Sequence, residues 1–343
     1  MKRLILCAVA IALFFAAPAP DLLAQQDPTL DEWDVPWEAS RPRDPYVGPD
    51  GRVWFVGQVG HYAAALDPET GEFERFDLED GTGPHNLIVG DDGIVWYAGN
   101  RVNHIGRLDP ASGDIEKFMM PDERARDPHT LVWDPAGNIW FTVQQGNFIG
   151  HFDRGSGDVH LIEAPEVTGG RSSSSRPYGI KIDSKGNPWI VLFNTNKIAT
   201  VDPATMELQV FELPDEGARP RRLEITSDDM VWYVDYSRGY LGRLDPASGE
   251  VKEWPNPSGE ESRPYGMAMD DDDRLWFVET GVQPNRFVGF DPATEEFFSQ
   301  SDIASGGGSI RHMYWDQATR SIWFGTDANT IGRAQVPPKR PVS

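Results

Sequence analysis

Seven tryptophans recur at nearly constant spacing along the chain, and this repeat constrains the fold more than any other feature. Their successive spacings are 42, 44, 49, 43, 44 and 47 residues, in the order Trp54, Trp96, Trp140, Trp189, Trp232, Trp276 and Trp323. A period of this length is typical of solenoids and propellers. The chain is therefore predicted to contain seven copies of one small unit, although 343 residues alone would favour two ordinary domains.

Each unit carries signals for four short strands. A segment such as Pro177–Asp183 alternates apolar and polar residues, a turn follows at Ser184–Asn187, and the tryptophan lies in the second strand. A turn of the type Asp-Pro-x-x-Gly, as in Asp245–Gly249, separates the third strand from the fourth, since each of these residues suits one position of a tight turn. We predict an all-β, seven-bladed β-propeller of four-stranded antiparallel blades, with the tryptophans packed between neighbouring blades.

The seventh unit lacks its fourth strand. After Trp323, only Thr330–Ala334 has the pattern of a strand before a proline-rich tail. The segment Leu30–Pro36 near the N-terminus is similar to the fourth strand of an earlier unit, Phe211–Pro214. We expect the N-terminal strand to complete the last blade, because this closes the ring and removes two open sheet edges.

The N-terminus has the pattern of a secretory signal peptide. Lys2 and Arg3 precede an apolar stretch from Leu4 to Ala17, and small residues follow it up to Ala24. The apolar stretch is shorter than the roughly 20 residues that span a bilayer. We predict a signal peptide over residues 1–24 and a single propeller domain over residues 25–343, periplasmic or secreted and not inserted in a membrane.

Charge and cysteine content limit the classes of partner and metal that the chain can bind. The chain has 54 acidic and 31 basic residues, for a net charge of −23, and such a surface repels nucleic acid. The single cysteine, Cys7, lies in the predicted signal peptide, so the mature chain has no disulfide and no cysteine-ligated metal. We predict a monomer that binds a small molecule or a peptide, and no nucleic acid.

The candidate site comes from the register of the repeat. The residue 11 positions before each tryptophan opens the first strand beside the central channel, and we call these seven residues the channel ring: Arg43, His85, His129, Tyr178, Arg221, Tyr265 and His312. Histidine is the side chain best suited to acid–base work near neutral pH. His312, His85 and His129 are therefore the candidate catalytic residues, and Arg43, Tyr178, Arg221 and Tyr265 the candidate substrate-binding residues.

Structural roles remain open for the same residues. Arg221 and Asp235 belong to one unit and are equally consistent with a simple ion pair. Tyr178 and Tyr265 are also consistent with packing against the channel wall. The position three residues after the tryptophan ends the second strand on the same face and supplies two carboxylates, Asp235 and Glu279. Because Mg²⁺ is commonly held by one or two carboxylates with several waters, this pair is the candidate magnesium site.

The repeat resembles that of the streptogramin B (virginiamycin B) lyase family over residues 30–336. The resemblance rests on segments such as Asp134–Phe141, Asn103–Asp109 and Trp276–Glu279. It implies a carbon–oxygen lyase that opens a cyclic depsipeptide by β-elimination, with a histidine base at a channel-ring position and Mg²⁺ held near Glu279.

Two other functions stay open at this point. A non-catalytic propeller would bind a ligand or a protein across the same face. A lactonase-type hydrolase would need several carboxylates around a channel calcium ion, and the two carboxylates of this face make it the weakest of the three.

Overall fold

The computed structural model describes residues 27–167 and 173–339, so the predicted signal peptide lies outside the described residues. Within these ranges the chain forms seven antiparallel sheets of four strands each. This confirms the predicted seven-bladed propeller. The described residues contain no α-helix and one turn of 3₁₀ helix, Glu260–Ser262.

The blades follow one another along the chain, and each is ordered from its innermost first strand to its outer fourth strand. Blade 1 contains β2 (Pro42–Val47), β3 (Val53–Gly57), β4 (Tyr62–Leu66) and β5 (Phe73–Asp77). Blade 2 contains β6 (Leu87–Val89), β7 (Val95–Gly99), β8 (His104–Leu108) and β9 (Ile115–Met119). Blade 3 contains β10 (Pro128–Trp133), β11 (Ile139–Val143), β12 (Phe148–Phe152) and β13 (Val159–Glu163).

The remaining blades repeat this order. Blade 4 contains β14 (Pro177–Ile182), β15 (Pro188–Leu192), β16 (Lys197–Asp202) and β17 (Glu207–Glu212). Blade 5 contains β18 (Pro220–Ile225), β19 (Val231–Asp235), β20 (Tyr240–Leu244) and β21 (Val251–Pro255). Blade 6 contains β22 (Pro264–Met269), β23 (Leu275–Glu279), β24 (Arg286–Asp291) and β25 (Glu296–Asp302). Blade 7 contains β26 (Met313–Asp316), β27 (Ser321–Gly325), β28 (Thr330–Gln335) and the N-terminal β1 (Thr29–Asp34).

The N-terminal strand closes the ring as predicted. β1 pairs antiparallel with β28, with Leu30 opposite Ala334 and Trp33 opposite Ile331. The two rings of Trp33 and Trp323 lie with their centroids 5.5 Å apart. The first and last strands of the domain are thus hydrogen-bonded neighbours, and the propeller has no open blade.

The repeated tryptophans form the core between blades. All seven are buried, with exposed fractions from 0% to 4%. Trp96 of blade 2 packs with Ile139 and Phe141 of blade 3, and Trp54 of blade 1 packs with Leu87 of blade 2. Large aromatic side chains at these positions bury enough apolar surface to hold neighbouring sheets together, which confirms the structural role predicted for them.

The local turn chemistry also follows the sequence. In the turn of blade 5, Asp245 accepts a hydrogen bond from the Ala247 amide through its carboxylate (2.8 Å) and another from the Gly249 amide through its carbonyl (2.8 Å). Gly249 has φ of 75°, a left-handed conformation that glycine adopts without steric cost. Among the described residues, no helix is both long and apolar enough to cross a bilayer.

Candidate functional site

The channel ring assembles as the repeat register predicts. Five of the seven are the second residue of their first strand, while His312 directly precedes β26 and His85 lies two residues before β6. The rings of His85 and His129 are 3.5 Å apart between centroids, and those of His129 and Tyr178 are 4.2 Å apart. The hydroxyls of Tyr178 and Tyr265 share a hydrogen bond across the channel. Blades 2, 3, 4 and 6 are therefore joined by side chains of one continuous cluster.

Arg221 lies in an aromatic cage rather than in an ion pair with Asp235. Its guanidinium carbon is 3.6 Å from the ring centroid of Tyr265, 4.1 Å from that of Tyr236 and 4.5 Å from that of Phe193. These distances are typical of cation–π contacts. Of the two roles left open for Arg221, the ion pair is wrong, because Asp235 has a different partner, described below.

A second layer of polar residues lies one position further along the first strands. We call Asp44, Asn86, Thr130 and Arg222 the inner layer. Arg222 donates to Thr130 Oγ1 (3.1 Å) and to the Arg311 carbonyl (2.9 Å), and its guanidinium lies 3.8 Å from Asp44. Asn86 donates to the Asp44 carboxylate at 3.1 Å. Because these contacts run between blades 1, 2, 3, 5 and 7, side chains of the inner layer span the channel.

The sequence carries a signal for this layer one position after the channel ring, outside the predicted site residues. Ten positions before each tryptophan, four units have a polar residue and two have glycine, Gly179 and Gly266. A Cβ atom at Gly179 would lie 3.1 Å from the Cα of Arg222 in the next blade, and one at Gly266 would lie 3.1 Å from the Ile310 carbonyl oxygen. Close approach of backbones around the axis explains why no side chain occupies these two positions.

All three channel histidines are held in the neutral form. Burial, followed by the charges of Arg43, His129 and Arg222, lowers the pKa of His85 well below its usual value of 6.5. Burial and Arg222 do the same to the pKa of His129. Burial lowers the pKa of His312 to about 3, with Arg222 acting in the same direction and Asp44 opposing it. Neutral imidazoles accept protons, but these neighbours disfavour the protonated product and make each histidine a weak base.

The three channel histidines also do not lie in one cluster. His85 and His129 contact each other, whereas His312 makes no ring contact with either of them among the described residues. His312 instead lines a cavity of about 220 Å³ on the other side of the inner layer. The sequence placed the three histidines at equivalent positions, and the structure assigns them to two different environments.

Tyr178 is an acid–base candidate that the sequence analysis assigned only to binding or packing. Burial alone would raise the pKa of this phenol, but the charges of Arg221, Arg222 and Arg43 and the hydrogen bond with Tyr265 together lower it to about 8. In the same pair, burial and the neighbouring Tyr178 raise the pKa of Tyr265 to about 12. Tyr178 is therefore the phenol that ionises first, with Tyr265 as the hydrogen-bond donor to its oxyanion.

We expect an ultraviolet difference titration near 295 nm to show one phenol ionising with a midpoint near pH 8, because three guanidinium groups stabilise the Tyr178 phenolate. The Tyr178→Phe variant should lose this step. Tyr265→Phe removes the donor instead, and should shift the step to higher pH without abolishing it. A wild-type titration with no phenol ionising below about pH 9.5, near the ordinary tyrosine value, would contradict this assignment.

The two candidate metal ligands are occupied by their own chain. Asp235 accepts from the Arg219 and Ser237 amides, both at 3.0 Å, and pairs with Arg238 at 2.7 Å. Glu279 accepts from the Ser258 amide at 2.9 Å and also from the Ser258 hydroxyl. Both side chains are fully buried, and no three His, Cys, Asp or Glu side chains converge in a metal-binding arrangement within the described ranges. Because of these contacts, Asp235 and Glu279 do not fit a shared magnesium site.

The channel instead concentrates positive charge with incomplete hydrogen bonding. Arg43 and Arg222 are 5% and 4% exposed. Arg43 Nη2, Arg221 Nε and Arg222 Nη2 are buried and have no hydrogen-bond acceptor among the described residues. Asp44 is the carboxylate next to Arg43 and Arg222. Although burial raises its pKa, the charges of Arg43 and Arg222 outweigh that effect and keep the pKa of Asp44 below its ordinary value. The Arg43 and Arg222 guanidinium groups thus share one ionised carboxylate, whereas Arg221 has no carboxylate partner among the described residues.

The model of the virginiamycin B lyase family matches residues 10–169 and 162–338 of the sequence. The chain belongs to the virginiamycin B lyase family. No curated protein gives a significant match to the sequence.

Solved structures agree on the architecture. Virginiamycin B lyase from Staphylococcus aureus is 23% identical, covers 90% of this chain and 99% of its own, and superposes with a TM-score of 0.79. A catalytically inactive histidine variant of that lyase with quinupristin gives 23% identity, the same coverage and a TM-score of 0.80. The extracellular domain of BT4673 from B. thetaiotaomicron is 17% identical, covers 92% of this chain and 44% of its own, and gives a TM-score of 0.67. At these identities the likeness shows the fold.

Proposed function

We propose that the channel face of this virginiamycin B lyase family member binds a small-molecule or peptide ligand through an anionic group of that ligand. The observation that supports this most directly is the set of buried guanidinium nitrogens without acceptors, on Arg43, Arg221 and Arg222. A buried, unsatisfied N–H costs roughly 1–3 kcal/mol, more when the group is charged. A carboxylate supplies acceptors in the planar, paired arrangement that guanidinium groups prefer.

The placement of these groups also explains selectivity in an acidic protein. The chain as a whole has a net charge of −23 and repels anions at long range. At the axis, in contrast, Arg43 and Arg222 face one ionised aspartate, Arg221 lies among aromatic rings, and the neutral histidines add no charge. Charge–charge attraction is much stronger in a buried site than at the surface, because solvent screens it less. The channel is therefore the favoured site for an anion.

Binding of matched peptides tests the proposal. We expect a linear peptide with a free C-terminal carboxylate to bind about tenfold or more tightly than the same peptide with a C-terminal amide, since hydrogen bonds to charged groups contribute about 1.5–3 kcal/mol. Arg43→Met should remove most of this difference in isothermal titration calorimetry. Arg52→Met is the matched control, because Arg52 forms ion pairs in the turn between the first and second strands, away from the channel face.

Equal affinity of the wild-type protein for acid and amide would overturn the proposal. Retention of the full difference in Arg43→Met would remove Arg43 from the site. Thermal unfolding of each variant checks that a loss of affinity does not arise from a loss of fold.

Elimination is the second candidate function, and family membership across the whole domain favours it. In this reaction a base removes the α-proton, the carbon–oxygen bond to the carboxylate breaks, and a carbon–carbon double bond forms. The leaving group is itself a carboxylate, so the channel arginines would stabilise it as it departs. His85 and His129 are candidate bases, and Tyr178 is a stronger proton acceptor once it is ionised.

The family resemblance also implies Mg²⁺, which would stabilise the enolate in such a reaction. Asp235 and Glu279 do not fit that task while Arg238 and Ser258 occupy them. We therefore assign no step of the reaction to a metal ion. If Glu279 does hold the cation, Glu279→Gln should abolish a magnesium-dependent reaction.

Incubation with a cyclic streptogramin B, with and without Mg²⁺, separates the two functions by liquid chromatography and mass detection. A product of unchanged mass shows elimination, and a product heavier by one water shows hydrolysis. An unchanged substrate favours ligand binding alone for this compound.

We also propose that the protein is exported. The N-terminal pattern of residues 1–24 and the extracellular location of a propeller with the same fold support this. Cell fractionation, with the N-terminal sequence of the mature protein, tests it.

A further inference from the structure

The central channel is divided into two compartments by the inner layer. Arg222 reaches from blade 5 to Thr130 in blade 3 and to the Arg311 carbonyl in blade 7, and Asn86 bridges Asp44 in blade 1 and the Leu131 amide in blade 3. On one side of this layer lie the residues of the channel ring other than His312. On the other side lies the cavity of about 220 Å³, lined by residues further along the same first strands.

This cavity has apolar walls and an aromatic mouth. Leu87, Leu131 and Ile180 from three blades form part of its walls. Tyr46, Trp133 and Tyr314 line it two to four residues beyond the channel ring, towards the opposite face of the propeller. These three side chains are only half-buried, and the rings of Tyr46 and Tyr314 are 4.4 Å apart. The cavity therefore opens between aromatic rings, away from the proposed anion site.

Its polar groups carry no uncompensated charge. Lys181 lines the cavity and pairs with the buried Glu224 at 2.8 Å, so the two charges compensate each other. His312, which burial holds neutral, also lines the cavity. Its side chain makes no hydrogen bond to any described residue, and Nδ1 is buried without a partner. A neutral imidazole offers one donor and one acceptor to a ligand.

We propose that this cavity is a second ligand site, separate from the channel face, that binds a small uncharged aromatic molecule with a single ring and a hydroxyl group. Its volume suits one substituted ring, since an apolar protein cavity of about 150 Å³ is sufficient for benzene. The three aromatic residues at the mouth pack against the ring of the ligand. His312 forms the hydrogen bond with the hydroxyl.

Methyl nuclear magnetic resonance of the whole protein tests the site with phenol as the probe. We expect phenol to shift the methyl signals of Leu87 and Leu131. Toluene has nearly the same shape without a hydroxyl and should bind about fivefold more weakly, the usual contribution of one hydrogen bond. Benzoate should bind more weakly than phenol in this cavity, because no unpaired cation lines the cavity to bind the benzoate carboxylate.

Two variants make the test specific. His312→Phe keeps an aromatic ring but cannot form a hydrogen bond with the ligand hydroxyl. Phenol and toluene should therefore bind this variant with similar affinity. His160→Phe, at an exposed position of β13, should leave the phenol preference unchanged.

Three results would overturn the assignment: no phenol-induced shift of the cavity methyl signals, a tighter complex with benzoate than with phenol in this cavity, or an unchanged phenol preference in His312→Phe. Since the peptide-binding test uses the other compartment, its outcome does not decide this one.

Discussion

A variant that begins at Pro36 and lacks β1 is expected to lose most of the stability of the domain. β1 is a six-residue strand paired along its whole length with β28. At about 1 kcal/mol for each backbone hydrogen bond, its removal costs roughly 5 kcal/mol. This equals the lower end of the total stability of an ordinary domain. We expect the truncated protein to melt at a much lower temperature and to aggregate.

Side chains of β1 add to this effect. Glu32 accepts hydrogen bonds from the Ser305 amide and the Thr330 hydroxyl, both at 2.8 Å, and Asp31 pairs with Arg333 at 2.6 Å. Without the strand, the outer edge of β28 is unpaired and becomes a template for association with other chains. Circular dichroism and size-exclusion chromatography with light scattering measure both effects.

A protein that begins at Asp27 is the matched control, because it retains β1 and should behave as the full mature chain. If the truncated and control proteins are both monomers and unfold at the same temperature, ring closure by β1 is not required for stability.

The second large effect is a loss of stability in mild acid. Burial lowers the pKa values of His85 and His129 well below 6.5, that of His312 to about 3 and that of His104 to about 4. In the unfolded chain these histidines take up protons as the pH falls through about 6.5. Since the folded state then binds fewer protons than the unfolded state, stability must fall with pH between about 6.5 and 4.

The slope follows from the number of groups. Each histidine contributes about 1.4 kcal/mol per pH unit once it is protonated in the unfolded chain alone. Four of them give at most about 5 kcal/mol per pH unit near pH 5. Urea unfolding at pH 7, 6 and 5 measures this slope.

Variants identify the groups responsible. Replacing His85, His129 and His312 together with glutamine should remove most of the slope, since only His104 then still lowers stability in acid, while the raised pKa of Asp127, about 6, acts in the opposite direction. His160→Gln, at an exposed position, should leave the slope as it is. A wild-type protein equally stable at pH 7 and pH 5 would show that the buried histidines take up protons without unfolding.

The fold was predictable because the repeat determines it locally. Each unit supplies its own strand pattern, turn residues and interblade tryptophan, so seven weak signals reinforce one another. The position of the channel ring followed from the same register. The first strands enter at one face of the propeller, and residues at equivalent positions, such as His85 and His129, therefore meet at the axis.

The chemistry of the site was not predictable to the same extent, because it depends on contacts between blades. Asp235 has several arginines nearby in sequence, and local geometry pairs it with Arg238 instead of Arg221. The three channel histidines look alike in the repeat, but one of them lines a separate cavity. The low pKa of Tyr178 arises from three arginines on two other blades. Such effects follow from side-chain conformations at the axis, which no single repeat specifies.

The central claim is that the channel arginines bind an anionic group, and side-chain resonances of ¹⁵N-labelled arginine test it most directly. Variants at Arg43, Arg221 and Arg222 assign the three Nε–H signals. Addition of the peptide with a free carboxylate should shift these signals in a saturable way, while the half-buried Arg52 signal stays in place and the amide peptide has little effect. Saturable binding that leaves all three signals unchanged would contradict the account and place the ligand elsewhere on the protein.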